Sequence, residues 1–203
     1  MRVGRLISPA LRWNAKTGVE HEEETLSAGL ELGVGGFILF GGTAEAVREL
    51  TAELQRRSAE PLLIGADLER GAGQQFKGAT PLPPLAALGA FDDLEATRWA
   101  GEVTAREARA LGVGWVYAPV ADLDIEPRNP IVGTRAFGAE AERVAAHVEA
   151  WIEGCRAGGG LSCVKHFPGH GRTISDSHVE LPTVYASREV LEADLVPFRA
   201  AAK

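Results

Sequence analysis

Three of the five histidines in this sequence lie within thirteen residues, from His166 to His178. Lys165 precedes them, and residues 161–164 form an apolar run with the composition of a buried strand. A loop rich in glycine and proline therefore begins with a cation and an imidazole at the carboxyl end of a strand. Because catalytic side chains of parallel α/β folds lie at that end, this loop is a candidate for chemistry.

Two residues of the same loop form a candidate acid/base pair. Asp176 stands two positions before His178. A carboxylate beside an imidazole selects the tautomer of the ring and raises its basicity. Such a pair can take up and release a proton near neutral pH.

Two further aspartates, Asp67 and Asp122, are predicted at or just beyond the ends of other strands. In a parallel sheet they would meet Lys165 and His166 at one rim. One cation, two carboxylates and an imidazole offer donors and acceptors together, which suits a neutral polyhydroxylated ligand. The residues alone leave a second interpretation open, in which Lys165 and His166 are only a satisfied polar pair at a strand end.

The spacing of His166 and His170 also matches that of helical zinc sites. Pro168 and Gly169 lie between them and are incompatible with the helix that would align the two rings. We therefore predict no metal and no cofactor, and interpret His170 as a residue that orders the loop. His147 is interpreted as a partly buried surface histidine.

Charge and cysteine content narrow the class of protein. A net charge of −7 without any run of Lys or Arg argues against nucleic acid and anionic membranes as partners. The sequence shows no signal peptide and no window long enough to span a membrane, so we predict a cytoplasmic protein. Cys155 and Cys163 fall in a helical and a strand pattern and are predicted to be buried thiols, with a disulfide as the open alternative.

Short apolar runs alternate with helical patterns along the chain. Strands are predicted at residues 4–7, 36–40, 61–66, 114–118 and 161–164. Helices are predicted at residues 22–32, 43–57, 93–111 and 140–155, and from residue 187 onward. Thr43 and Ser187 are the expected helix caps, and Gly33 ends the first helix.

The alternation predicts an α/β fold in which helices cover a parallel sheet. The long loops, residues 71–89 and 119–138, follow strands, as they do in a (β/α)8 TIM barrel. We interpret residues 1–203 as one barrel-like domain that is incomplete, with about five to six βα units, and truncated at its C-terminal end. The alternative is a complete five-stranded doubly wound sheet. An open barrel would expose a strand edge through which the chain could self-associate.

The loop of residues 165–178, named here the histidine loop, resembles the signature of glycoside hydrolase family 3, in its β-N-acetylglucosaminidase branch. The resemblance lies in residues 165–171, Lys-His-Phe-Pro-Gly-His-Gly, and residues 176–178, Asp-Ser-His. Residues 119–122, 129–130 and 133–138 also match, and residues 67–69 are similar to the acidic motif of the family. One departure is the order Glu69-Arg70-Gly71, in which the arginine is displaced from its usual place.

This resemblance implies a retaining glycosidase that releases terminal β-linked N-acetylglucosamine from peptidoglycan-type substrates. It implies that His178 is the general acid/base, paired with Asp176. The residues implied to bind the sugar ring are Asp67, Arg135, Lys165 and His166, while Asp122 orders the rim.

The same resemblance implies that the nucleophilic aspartate lies on a later strand that this chain does not reach. We therefore expect the chain alone to be inactive. Two other functions stay open at this point. One is a non-catalytic sugar-binding relative, and the other is a doubly wound phosphate or nucleotide binder.

Overall fold

The computed structural model describes residues 3–203. Five parallel strands form one sheet. The strands are β1 Ala10–Arg12, β2 Gly36–Phe40, β3 Leu63–Ala66, β4 Trp115–Val116 and β5 Leu161–Ser162. The helices are α1 Glu23–Leu32, α2 Ala44–Arg57, α3 Leu85–Phe91, α4 Leu94–Ala110, α5 Ala141–Ala157, α6 Arg188–Asp194 and α7 Val196–Ala201.

The order of the strands decides between the two predicted architectures. Each strand pairs with the next one along the chain, in the order β1-β2-β3-β4-β5. A doubly wound sheet reverses its order at a switch point, and this sheet has no such reversal among its five strands. Right-handed crossovers between successive neighbours place every connecting helix on one face, as in a TIM barrel. The doubly wound alternative was therefore wrong, and the barrel-like α/β fold is confirmed.

Side chains at the helix ends explain why the helices begin and end where they do. The hydroxyl of Thr43 accepts a hydrogen bond from the amide of Ala46 at 3.2 Å, and Ser187 caps α6 in the same way. Asp93 caps α4 by accepting bonds from two amides of its first turn. Gly33 ends α1 with a φ of 70°, which costs glycine little. The predicted caps and stop are confirmed.

Helices α4 and α5 pack with their backbones almost in contact. A Cβ atom at Gly154 of α5 would lie 1.8 Å from the carbonyl oxygen of Arg98 on α4. A Cβ atom at Gly101 of α4 would lie 2.3 Å from the carbonyl oxygen of Trp151. Because only glycine fits at both contacts, the two helices hold a fixed position behind β4 and β5.

The first predicted strand was wrong. Residues 4–7 fall largely in a 3-10 helix, Val3–Leu6, and β1 begins only at Ala10. The burial of the side chains explains the difference. Leu11 in β1 is 1% exposed, whereas Leu6 is 73% exposed, so the earlier apolar run does not reach the core.

Helix α3 begins at Leu85, inside a stretch that was predicted to be loop, residues 71–89, and runs to Phe91. Gly89 and the prolines before the helix concealed it, because both residue types lower helix propensity. Gly89 is required by packing, since a Cβ atom there would lie 1.7 Å from the carbonyl oxygen of Phe137.

The interpretation of His147 as a surface residue was also wrong. Its side chain is fully buried and stacks on Phe137, with ring centroids 5.1 Å apart. Its two ring nitrogens lie 2.8 Å from the Thr97 hydroxyl and 3.3 Å from an Asp92 oxygen. These two partners give each ring nitrogen a hydrogen-bond partner without solvent.

The remaining predictions concern cysteines and membranes. Cys155 is buried, Cys163 is half-buried and both are free thiols, so the alternative of a disulfide was wrong. Among residues 3–203, none of the helices combines the length and the apolar character that crossing a bilayer requires.

Candidate functional site

Polar side chains from three loops line one cavity at the carboxyl end of the sheet. Asp67 directly follows β3, Lys165 and His166 follow β5, and Arg135 ends the 3-10 helix Gly133–Arg135 in the loop after β4. The cavity has a volume of about 500 Å³. It is lined by Asp67, Glu69, Arg70, Gln74, Gln75, Ile131, Thr134, Arg135, Lys165, His166, His170, Ser177 and His178.

A buried carboxylate, Glu69, joins the two cations of the cavity. Arg135 donates two hydrogen bonds to Glu69, from Nε at 2.9 Å and from Nη2 at 2.7 Å. The Nζ atom of Lys165 lies 2.8 Å from Oε1 of Glu69 and 2.5 Å from Oδ1 of Asp67. The side chain of Glu69 is only 5% exposed. Its two pairings therefore place the guanidinium of Arg135 beside the ammonium of Lys165.

The contacts within this network shift the pKa values of Glu69 and Arg135. Burial alone raises the pKa of Glu69, but the hydrogen bonds from Arg135 and the charge of Lys165 outweigh it and lower the pKa to about 2. The hydrogen bonds with Glu69 raise the pKa of Arg135. Glu69 is therefore ionised at neutral pH and holds both cations in place.

Asp122 holds the histidine loop from below. It is 1% exposed, and one of its oxygens lies 2.5 Å from Nδ1 of His166. The backbone amide of His170 donates a hydrogen bond of 2.7 Å to its other oxygen. Asn129 adds a second tie, since its side-chain amide donates to the carbonyl oxygen of His170 at 2.8 Å.

These contacts assign the tautomer of His166. Nη2 of Arg135 lies 3.2 Å from Nε2 of the ring. Because arginine can only donate, Nε2 accepts and the proton stands on Nδ1, where it is donated to Asp122. The ring is thus held from both sides, by Asp122 at Nδ1 and by Arg135 at Nε2.

The candidate acid/base pair lies at the mouth of the same cavity. Nδ1 of His178 is 2.7 Å from Oδ1 of Asp176, and the amide of His178 donates to the same oxygen at 2.8 Å. Hydrogen bonds from the backbone and side chain of His178 lower the pKa of Asp176. With Nδ1 bound to a carboxylate, Nε2 is the nitrogen that can exchange a proton with a ligand.

All six predicted site residues thus lie in or beside one hollow. Asp67, Arg135, Lys165, His166 and His178 line it, and Asp176 reaches it only through His178.

Glu69 and Asn129 were not selected as site residues from the sequence. Glu69 stands in the acidic motif, two positions after Asp67, and a buried carboxylate there was a signal that could have been used. Asn129 acts through distant loop contacts that spacing does not reveal. Within residues 3–203, no group of three or more His, Cys, Asp and Glu side chains is placed to hold a metal ion.

The family of the chain follows from its match to known proteins. The sequence matches the glycosyl hydrolase family 3 N-terminal domain over residues 2–203. The chain belongs to this family. This finding and the strand order together overturn the alternative of a phosphate or nucleotide binder with a doubly wound sheet.

Three relatives illustrate the similarity of this family 3 domain. It is 42% identical over 177 residues to a β-hexosaminidase of Thiobacillus denitrificans, covering 82% of this chain and 49% of that protein. A family 3 β-N-acetylglucosaminidase from Paenibacillus sp. strain FPU-7 is 38% identical with a TM-score of 0.89, covering 98% and 39% of the two chains. NagZ from Neisseria gonorrhoeae, solved with N-trifluoroacetyl-D-glucosamine, is 37% identical with a TM-score of 0.82, covering 96% and 59%.

The alignments cover most of this chain but a smaller share of each relative. The chain spans about half the length of the curated relatives it matches. The family 3 domain therefore corresponds to a part of each relative.

Proposed function

We propose that this domain serves a retaining glycosidase that releases terminal β-linked N-acetylglucosamine. The observation that carries the proposal is the shared cavity of Asp67, Arg135, Lys165, His166 and His178. In this proposal the first four bind the hydroxyl groups of the sugar ring, since they combine donors with acceptors. The names of the β-hexosaminidase and β-N-acetylglucosaminidase relatives support the choice of sugar.

His178 would act as general acid/base and Asp176 would orient its ring. The Nδ1 atom is engaged by Asp176, which leaves Nε2 to protonate the leaving oxygen and later to deprotonate water. The side chain of His178 is 81% exposed at the mouth, where a leaving group would depart.

The retaining mechanism also needs a carboxylate nucleophile about 5 Å from the acid/base. Within residues 3–203, the carboxylates that line the cavity are Asp67 and Glu69, and cations hold both of them. We therefore propose that the nucleophile comes from outside this chain and that the chain alone does not turn over.

We further propose that the substrate is of the peptidoglycan type and that the protein acts in the cytoplasm. The two free thiols suit a reducing compartment. Cell fractionation with an antibody to this chain tests the location, and detection only in a periplasmic or secreted fraction would contradict it.

A release assay with a chromogenic nitrophenyl β-N-acetylglucosaminide tests the reaction. We expect the 203-residue chain to release no chromophore and a protein extended through the region that the relatives possess to release it. Lack of release by the extended protein, with sugar binding retained in calorimetry, would favour a non-catalytic sugar-binding relative instead.

A further inference from the structure

One wall of the cavity carries a cation that the ion-pair network does not use. This wall, named here the donor wall, consists of the side chains of Arg70, Gln74 and Gln75, all of which line the cavity. Arg70 is exposed and forms no ion pair with another residue of the described range 3–203. The guanidinium therefore keeps its donors for a ligand.

Hydrogen bonds from backbone N–H groups orient the side-chain amides of Gln74 and Gln75 in the donor wall. The amide of Arg70 donates to Oε1 of Gln74 at 2.8 Å, and the amide of Gly41 donates to Oε1 of Gln75 at 3.0 Å. Because a backbone N–H can only donate, these contacts identify the oxygen of each side chain. The NH2 groups are the free ends, so the wall presents donors and a positive charge.

The charge balance of the cavity points in the same direction. Asp67 and Glu69 are neutralised by Lys165 and Arg135, at distances between 2.5 and 2.9 Å. Among the cations that line the cavity, Arg70 is therefore the one that has no carboxylate partner within residues 3–203. A neutral sugar hydroxyl does not require the charge of Arg70, whereas a carboxylate is the acceptor that a guanidinium binds best.

Exposure indicates which part of a ligand would reach the wall. The side chains of Glu69 and Lys165 are 5% and 15% exposed on the floor, whereas Arg70 and the 81% exposed His178 lie at the mouth. With a sugar ring on the floor, as the proposed function requires, the leaving part of the substrate occupies the mouth. We infer that the donor wall binds a carboxylate carried by the aglycone.

The test compares two glycosides that differ in one charge, in the extended protein. They are the para-carboxyphenyl and para-carbamoylphenyl β-N-acetylglucosaminides. We expect the carboxylate to have the lower KM, and added salt to reduce the difference. Arg70→Gln should raise KM for the carboxylate about tenfold, the loss expected for one charge-assisted hydrogen bond, with little change for the amide.

Arg56→Gln is the matched control, because Arg56 is a well-exposed arginine of α2 outside the cavity, with a side chain 72% exposed. Equal KM values for the two glycosides, or an equal effect of Arg70→Gln on both, would overturn the inference. Calorimetry with the same glycosides tests the wall even without turnover. In that case a preference for the carboxylate that depends on Arg70 would uphold the donor wall while the proposed hydrolysis fails.

Discussion

At the scale of single residues, Glu69 is the organising group of the cavity. A buried carboxylate without partners would be protonated, because burial disfavours its charge. Two cations reverse that preference and lower its pKa to about 2. Since the unfolded carboxyl titrates near 4.5, the pairing contributes stability above that pH and loses it as the pH falls toward 2.

This dependence of stability on pH leads to a prediction for Glu69→Gln. At neutral pH the variant should be less stable by about 3 kcal/mol, the value of the pKa difference, because Arg135 and Lys165 lose their shared partner. The gap should narrow below about pH 4 as Glu69 itself is protonated. Urea denaturation across this pH range measures it.

Glu126→Gln is the control for that experiment. Glu126 also has a pKa lowered to about 2 by hydrogen bonds from Arg128, but that arginine is 73% exposed. Because solvent screens this exposed pair, the free energy of unfolding of the control should stay close to that of the parent protein. If the difference in free energy of unfolding between the parent protein and Glu69→Gln stays constant down to a pH near 2, the assigned network is contradicted.

His178→Ala supplies the residue-scale test of the acid role. Turnover of N-acetylglucosaminides by the extended protein should fall by about 10²–10⁴-fold for poor leaving groups and much less for nitrophenolate, which needs little protonation. His21→Ala, at a histidine that is 45% exposed and outside the cavity, is the control. An equal loss across leaving groups would speak against His178 as the acid.

At the scale of elements, the contact between α4 and α5 connects the fold to the site. Helix α4 leads into β4 and α5 leads into β5. The loops after these strands carry Asp122 and Lys165. Because the two helices meet at glycines with no spare room, the relative position of the two strands is set with little freedom.

Gly154→Ala tests this contact. The added Cβ would lie 1.8 Å from a backbone oxygen, which cannot move as the end of a side chain can. We expect a loss of about 1–3 kcal/mol in the free energy of unfolding, even though alanine favours helix by about 1 kcal/mol.

Thermal denaturation measures the effect, with Gly114→Ala as the control. A Cβ at Gly114 would meet only Arg109 Nη1 at 3.3 Å, the end of a flexible side chain, and Leu63 beyond it. Equal stabilities of the two variants would show that the helices can separate at little cost.

At the scale of the whole molecule, the sheet has two open edges within the described residues 3–203. β1 and β5 each pair with one neighbour. Leu161 in β5 is 58% exposed, and Phe167 just beyond it is 73% exposed, although its ring packs edge-to-face on Phe198 at 5.6 Å. An exposed parallel edge with apolar side chains is a surface that favours association.

We therefore predict that the 203-residue chain self-associates at micromolar concentration or melts at low temperature. Light scattering coupled to size exclusion measures the mass. Leu161→Lys should reduce association, whereas Leu32→Lys, at a leucine 61% exposed at the end of α1, should not. A monomer with a cooperative transition at high temperature would show that the edge is protected.

The sequence by itself determined much of this protein. Apolar runs, glycine stops and capping residues are local signals, so strand β2 and the ends of α1, α2 and α4 were predictable. The spacing of the histidine loop and the rule that polar residues follow parallel strands pointed to Asp67, Lys165, His166, Asp176 and His178. Arg135 was selected only by the family resemblance, which also implied the roles of the other five.

Only the tertiary structure decided the rest, because each remaining feature depends on contacts between distant segments. Strand β1 replaced an earlier apolar run since Leu11, not Leu6, reaches the core. The choice of a barrel over a doubly wound sheet required the strand order, which local pattern does not contain. The role of Glu69 arises from cations 66 and 96 positions away along the chain, which meet it only when three loops converge.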